Sequence, residues 1–239
     1  MSREASSPPD TTTVAAQVAA LVDHVYEMLD EIGTQVAELA TAGTAALTSG
    51  GLVALRPRIH GQLQQHADLL SGTGFVAAPG ALQDVEYWLE FWTVDDGGQL
   101  EQMHLGTDPA AADFYDYTRR PWFQLAADAA ERAFDGPYVD HLGANTYTIT
   151  TSVPVVAGGR FLGVAASDLY LSRFERRVLP LLLRLPAPAT LVNDRGRVIA
   201  STDPRHRTGA RLAADGADPH RPPPGAVRCG ELPMRIVQE

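Results

Sequence analysis

The sequence contains no lysine, and this absence excludes several kinds of chemistry. All 19 basic side chains of the 239-residue chain are arginines. Without lysine the protein cannot form a Schiff base, attach pyridoxal phosphate or build a P-loop. The single cysteine, Cys229, excludes an internal disulfide, and no histidines or cysteines have the spacing of a zinc site. We therefore expect neither a cofactor nor a metal.

A surplus of positive charge is also missing. The 29 acidic side chains outnumber the 19 basic ones and give a net charge of -10. Nucleic acids attract basic surfaces, because their phosphates must be neutralised. The composition therefore argues against a nucleic-acid partner.

Long apolar runs are absent as well. Residues 1–13 are polar and lack the apolar core of a signal peptide, so we expect a disordered tail. The longest uncharged run, residues 39–55, is diluted by Thr and Ser and by the pair Gly50 and Gly51. These features predict no membrane span and a soluble, cytoplasmic protein.

The N-terminal third has helical periodicity. Apolar residues recur at alternating steps of three and four, which predicts a long amphipathic helix over residues 14–47: Val14, Val18, Leu21, Val25, Met28, Ile32, Val36 and Leu39. This stripe can pack within its own domain or pair with a second copy to form a homodimer, and periodicity does not distinguish the two. A second helix is predicted over residues 57–70, stopped by the glycines of 71–74, so residues 14–80 form an N-terminal helical region.

Strand patterns begin after residue 81. Residues 87–94 and 99–105 flank a glycine turn and predict a hairpin, and further strands are predicted at 136–141, 146–156 and 161–171. Five antiparallel strands flanked by helices predict an α+β fold of PAS-like size, with its domain over 81–185. Residues 186–239 add a hairpin at 190–202 and a tail, which predicts a partial second module.

The segment 113–123 contains an arginine placed for anion binding. Pro121 disfavours helix at the residue before it and suits the first turn of a helix, which we expect to run through Ala133. Arg120 should then precede the helix N-terminus, where its guanidinium and free N–H groups favour a carboxylate. Trp122 and Phe123 follow and can wall a pocket.

Acidic and aromatic side chains on two later strands complete the candidate set. Tyr138 and Asp140 are two residues apart on a strand and share a face. Asp168 shares its face with an apolar set, on which an unpaired carboxylate would be costly: Leu162, Val164, Ala166 and Tyr170. Its partner is either a protein arginine, such as Arg119 or Arg173, or the ammonium of a ligand.

The order of these residues resembles a known family. Tyr115, Arg120, Trp122 and Phe123, followed by Tyr138 and Asp168, are similar to the motif of Cache-domain sensors, PAS-related ligand-binding modules, and in particular of the amino-acid-binding double Cache subclass. The likeness covers about residues 14–202, with the long helix similar to the family's spine and 190–202 similar to the opening of its second, non-binding module.

The resemblance implies roles for individual residues. Tyr115, Arg120 and Trp122 would hold a ligand carboxylate, whereas Tyr138, Asp140 and Asp168 would hold its ammonium. Phe123 stands where the family usually has Tyr. The implied function is a signal-transduction sensor that binds an amino acid without transforming it and reports to an output partner that the sequence does not identify.

Three alternatives remain from the sequence. The ligand could be a biogenic amine, and the long helix could make the chain an interaction module with a vestigial pocket. An enzyme is disfavoured, because the sequence has no nucleophile elbow, zinc spacing or glycine-rich cofactor loop.

Overall fold

The computed structural model describes residues 9–42, 46–106, 108–140, 146–212 and 225–238. Within these ranges the chain forms helices and antiparallel strands. The elements in chain order are α1 (Thr11–Thr41), α2 (Arg56–Gln65), β1 (Leu70–Ala77), β2 (Leu89–Val94), β3 (Leu100–Gln102), α3 (Pro121–Ala129), β4 (Ala133–Asp140), β5 (Thr146–Ala157), β6 (Arg160–Tyr170), α4 (Leu171–Leu182), β7 (Ala189–Asn193), β8 (Val198–Ser201), β9 (Val227–Arg228) and β10 (Met234–Gln238).

The strands form two sheets, and the predicted α+β class is confirmed. The larger sheet has the order β3-β2-β1-β6-β5-β4, and the smaller has the order β8-β7-β10-β9. The chain divides into two compact units, a large-sheet unit of residues 24–135 and 148–170 and a small-sheet unit of residues 1–23, 136–147 and 171–239. In the described ranges no helix is long and apolar enough to cross a membrane.

Helix α1 packs its apolar stripe within the chain. Six of the eight stripe residues are buried and two are half-buried. The stripe is therefore not available as a surface for a second copy. The helix ends at Thr41 rather than at residue 47. At this end the Thr41 hydroxyl donates to the carbonyls of Ala37 and Glu38. These bonds add to the backbone hydrogen bond that the Glu38 carbonyl accepts from the Ala42 N–H at the end of the helix.

Strand β1 was not predicted. Helix α2 ends at Gln65 instead of residue 70, and the chain then enters β1, whose eight residues are all buried. A strand covered on both faces has no polar and apolar alternation. The sequence pattern therefore predicted that the glycines at 72 and 74 end a helix, although they lie inside this strand.

Two further elements differ from the prediction. Helix α3 ends at Ala129, because Ala130 has the left-handed conformation (φ 55°), and β4 begins at Ala133, where the helix was expected to continue. In the small-sheet unit the predicted hairpin is present as β7 and β8. Strand β10 pairs with β7 and with β9, so the hairpin is part of a four-stranded sheet.

Helix α2 is tied to the large sheet by a buried ion pair. The side chain of Glu90 on β2 is 0% exposed. It accepts a hydrogen bond from Arg56 Nε at 2.8 Å and another from Trp92 Nε1 at 2.9 Å. The Arg56 guanidinium also lies 5.2 Å from the centre of the Trp92 ring. Because a buried carboxylate needs compensation, Arg56 should contribute to stability.

We predict that Arg56→Met lowers the free energy of unfolding by about 2–4 kcal/mol, because Glu90 would lose its cation while remaining buried. Arg58→Met is the matched control, since Arg58 lies two residues away and its partner Glu31 is 57% exposed. We expect the control to cost less than about 1 kcal/mol. Urea unfolding measures both, and equal losses would show that the burial of Glu90 does not make its pair more important.

Candidate functional site

Arg120 lies where the sequence placed it, immediately before α3. Its backbone is extended (φ -82°, ψ 141°) and Pro121 occupies the start of the helix. The carbonyl of Arg120 accepts hydrogen bonds from the N–H groups of Phe123 and Gln124. The proline disfavours helix at Arg120 and suits the first turn of α3, and Arg120 is exposed at the helix N-terminus.

Tyr115 orients this arginine. Its hydroxyl accepts a hydrogen bond from Arg120 Nε at 2.6 Å, and its ring centre lies 4.8 Å from the guanidinium carbon. The ring and the bond together restrain the guanidinium plane. Tyr115 engages Nε and leaves the two Nη groups, with which an arginine can bind a carboxylate in a bidentate pair.

Trp122 and Phe123 belong to the apolar core. They are 8% and 4% exposed and pack in one cluster with Tyr117 and with residues of β1, β2 and β6. The Phe123 ring centre lies 5.6 Å from that of Tyr117 and 6.0 Å from that of Trp122. The two side chains therefore fasten α3 to the sheet, and through it the position of Arg120.

Tyr117 closes the same cluster with two hydrogen bonds. Its hydroxyl donates to the Ala77 carbonyl at 2.7 Å and accepts from the Trp88 N–H at 3.2 Å. Burial raises the pKa of this hydroxyl well above its usual range, so it remains protonated and able to donate. Tyr117 thus links the segment before α3 to the ends of β1 and β2.

One face of the large sheet carries Asp168, and we call it the site face. The register places residues from four strands side by side on this face. One row holds Thr93, Gly72, Asp168 and Thr150, and the next holds Phe91, Gly74, Ala166 and Ser152. Most of these side chains are small, so they project little from the sheet around Asp168. Phe91 is the one large side chain of the two rows.

Two hydroxyl groups of β5 connect the predicted site residues. Thr150 Oγ1 donates to Asp168 Oδ1 at 2.6 Å, and Ser152 Oγ donates to the Trp122 carbonyl at 2.6 Å. Thr150 and Ser152 are two residues apart on one face, a separation of roughly 7 Å. Asp168 and the start of α3 are thus attached to neighbouring positions of one strand.

The structure places the remaining predicted residues on β4. Tyr138 is half-buried, and Asp140 is the last residue of the strand. The side chain of Asp140 lies outside the described part of the structure, so the shared face of these two residues stays a prediction. Their contribution to a ligand site stays a prediction.

Sequence reasoning missed Thr150, Ser152, Gly72 and Phe91. A signal was present in β5, where hydroxyl residues recur at positions 146, 148, 150 and 152 and therefore share one face. The glycine at position 72 carried no such signal, because its strand was not recognised. Among the described residues no group of three or more His, Cys, Asp or Glu side chains could hold a metal ion.

Comparison with known proteins matches the large-sheet unit to a family of sensors. The family described as methyl-accepting chemotaxis protein-like, first PDC sensor domain, matches residues 55–176, just over half of the chain. No curated protein gives a significant sequence match.

Solved structures of receptor domains have the same fold. The ligand-binding domain of the Pseudomonas aeruginosa amino-acid chemoreceptor PctC, in complex with GABA, has a TM-score of 0.57 at 17% identity and covers 95% of this chain and 94% of its own. The ligand-binding domain of the Campylobacter jejuni chemoreceptor Tlp3, in complex with L-valine, has a TM-score of 0.56 at 15% identity. The match covers 82% of this chain and 71% of that domain. The extracellular domain of the candidate histidine kinase mmHK1S-Z2 has a TM-score of 0.61 at 13% identity. The match covers 83% of this chain and 72% of that domain.

The cytoplasmic location predicted from the sequence is wrong. The matched histidine-kinase domains are extracellular domains, and the matched family is a sensor domain of chemotaxis receptors. The prediction relied on the polar N-terminus and the lack of a long apolar run. A hydrophilic surface is common to domains on both sides of a membrane, so these features do not indicate the side.

We predict that Tyr117→Phe lowers the free energy of unfolding by about 1–3 kcal/mol, because the buried Ala77 carbonyl and Trp88 N–H would each lose a partner. Tyr87→Phe is the matched control. The Tyr87 ring packs edge-on against Tyr117 at 5.8 Å, but its hydroxyl bonds to none of the described residues. Thermal unfolding followed by circular dichroism compares the two. A similar loss in both variants would assign the effect to ring packing.

Proposed function

The chain belongs to the family of methyl-accepting chemotaxis protein-like first PDC sensor domains, and on this basis we propose that it binds a small amino acid at the site face. The family consists of sensor domains that are themselves non-catalytic and serve signal transduction. The single observation that carries the proposal is the restrained guanidinium of Arg120, which Tyr115 holds by a hydrogen bond to Nε and by ring contact.

Arg120 would receive the ligand carboxylate. A guanidinium whose plane is already restrained loses little freedom when it forms two parallel hydrogen bonds. Arg120 is exposed, so water weakens its attraction to an ion until a ligand displaces that water. Trp122 supports this role from the core, because its burial holds the helix start in place.

Asp168 would receive the ligand ammonium. It is half-buried on the site face, beside small side chains that leave room for a ligand. Its carboxylate accepts one hydrogen bond from Thr150, and a carboxylate has further lone pairs that can accept bonds from an ammonium. Tyr138 and Asp140 are proposed to assist from β4, on the basis of the motif alone.

Two side chains of β5 hold both ends of the proposed site. Ser152 donates a hydrogen bond to the Trp122 carbonyl at the start of α3, and Thr150, two residues away, donates one to Asp168. A zwitterion bound here would place its carboxylate at Arg120 and its ammonium at Asp168. Phe123 would contribute packing without a hydrogen bond, since phenylalanine has no polar group.

A biogenic amine is the second candidate ligand. It would use Asp168 in the same way but would leave Arg120 without a partner. The restraint of Arg120 by Tyr115 therefore favours the amino acid over the amine.

We predict that Arg120→Ala weakens the binding of L-valine and of γ-aminobutyrate by about tenfold to a hundredfold, because it removes charge-assisted hydrogen bonds to the carboxylate. Arg119→Ala is the matched control, since Arg119 is the preceding residue and is also exposed. Asp168→Asn should abolish the binding of both ligands. Isothermal titration calorimetry measures each affinity.

Isobutylamine, the decarboxylated form of valine, separates the two candidate ligands. Tighter binding of isobutylamine than of L-valine, unaffected by Arg120→Ala, would identify an amine sensor. Unchanged binding of L-valine by Asp168→Asn would refute the ammonium assignment.

A further inference from the structure

Thr150 has a specific relation to Asp168 that the sequence motif does not include. The two residues are directly opposite each other in the register of β5 and β6. Thr150 is 3% exposed, and its hydroxyl donates to Asp168 Oδ1 at 2.6 Å. A buried hydroxyl with a short bond to a carboxylate indicates a fixed contact.

The hydroxyl restrains the carboxylate in two ways. A threonine on a strand has few χ1 rotamers, so its Oγ1 is held in one direction. A hydrogen bond to an ionised acceptor is stronger than one between neutral groups, so Oδ1 is held in turn. The backbone of Asp168 is fixed separately, because its carbonyl accepts a hydrogen bond from Ser71 Oγ at 2.9 Å.

The opposite flank of Asp168 is built differently. Its partner on β1 is Gly72, which has no side chain. The ring of Phe91 lies against this glycine, since a Cβ at position 72 would be 2.5 Å from Phe91 Cε1. The Phe91 ring therefore occupies the space that a side chain at position 72 would fill, so this flank of Asp168 is apolar.

We propose that Thr150 is a positioning residue that holds Oδ1 of Asp168 and thereby fixes the orientation of the carboxylate that receives the ligand ammonium. This inference rests on the proposed function. It adds the residue that sets the orientation of this carboxylate.

Three variants test the role of Thr150. Thr150→Val removes the hydroxyl at nearly constant shape, whereas Thr150→Ser retains it. Thr151→Val is the matched control, because Thr151 is the next residue, is fully buried and bears its hydroxyl on the opposite face, where it donates to the Ser167 carbonyl. It removes the same group without touching Asp168.

Calorimetric titration with L-valine and γ-aminobutyrate gives the expected pattern. Thr150→Val should weaken both affinities about tenfold, the loss of one hydrogen bond to a charged group. Thr150→Ser and Thr151→Val should remain within about threefold of the wild type. Thr150→Ser losing as much as Thr150→Val would overturn the proposal, as would a tenfold loss in Thr151→Val.

A measurement without ligand separates this inference from the proposed function. The carboxyl ¹³C resonance of Asp168, assigned through Asp168→Asn, reports the hydrogen bond in the free protein. It should shift in Thr150→Val and return towards the wild-type position in Thr150→Ser. An unshifted resonance in Thr150→Val overturns the positioning role. If the wild type binds neither probe, the proposed function fails for these ligands, and the resonance alone decides whether Thr150 holds the carboxylate.

Discussion

The pairing of β1 with β6 is the constraint on which the site depends. It runs from Leu70 opposite Leu169 to Ala77 opposite Gly163 and sets which side chains of β6 share the face that α3 covers. Glycine makes this pairing possible, since Gly163 has a positive φ of 139° and a Cβ there would lie 2.2 Å from the Val76 carbonyl oxygen. A slip of one residue would move Asp168 to the opposite face, because side chains alternate along a strand.

The residues of the candidate site differ in burial according to their roles. Trp122, Phe123 and Tyr117 are buried and hold the start of α3 against the sheet. Arg120 and Tyr115 lie nearer the surface, where a charged ligand can arrive without crossing the core. The cost of burying charge is thereby avoided for the arginine. It is reduced for Asp168 by partial exposure and by the hydroxyl of Thr150.

Parts of the fold with a local cause could be predicted. The stripe of α1 is a property of spacing, and the turn before α3 is a property of Pro121, so both were recognised from residues near in sequence. The strand β1 could not be, because its burial on both faces comes from α2, α3 and two neighbouring strands. The same holds for β10, whose pairing with β7 joins residues 41 to 49 positions apart.

The sequence by itself determined the residue types of the candidate site, the α+β class and the position of Arg120 before a helix, because composition, periodicity and proline geometry act over a few residues. Only the tertiary structure decided that the stripe of α1 is buried within the chain and that Trp122 and Phe123 serve the core. It alone placed Thr150 and Gly72 on either side of Asp168. These are neighbours across strands, and the register that brings them together is a property of the whole sheet.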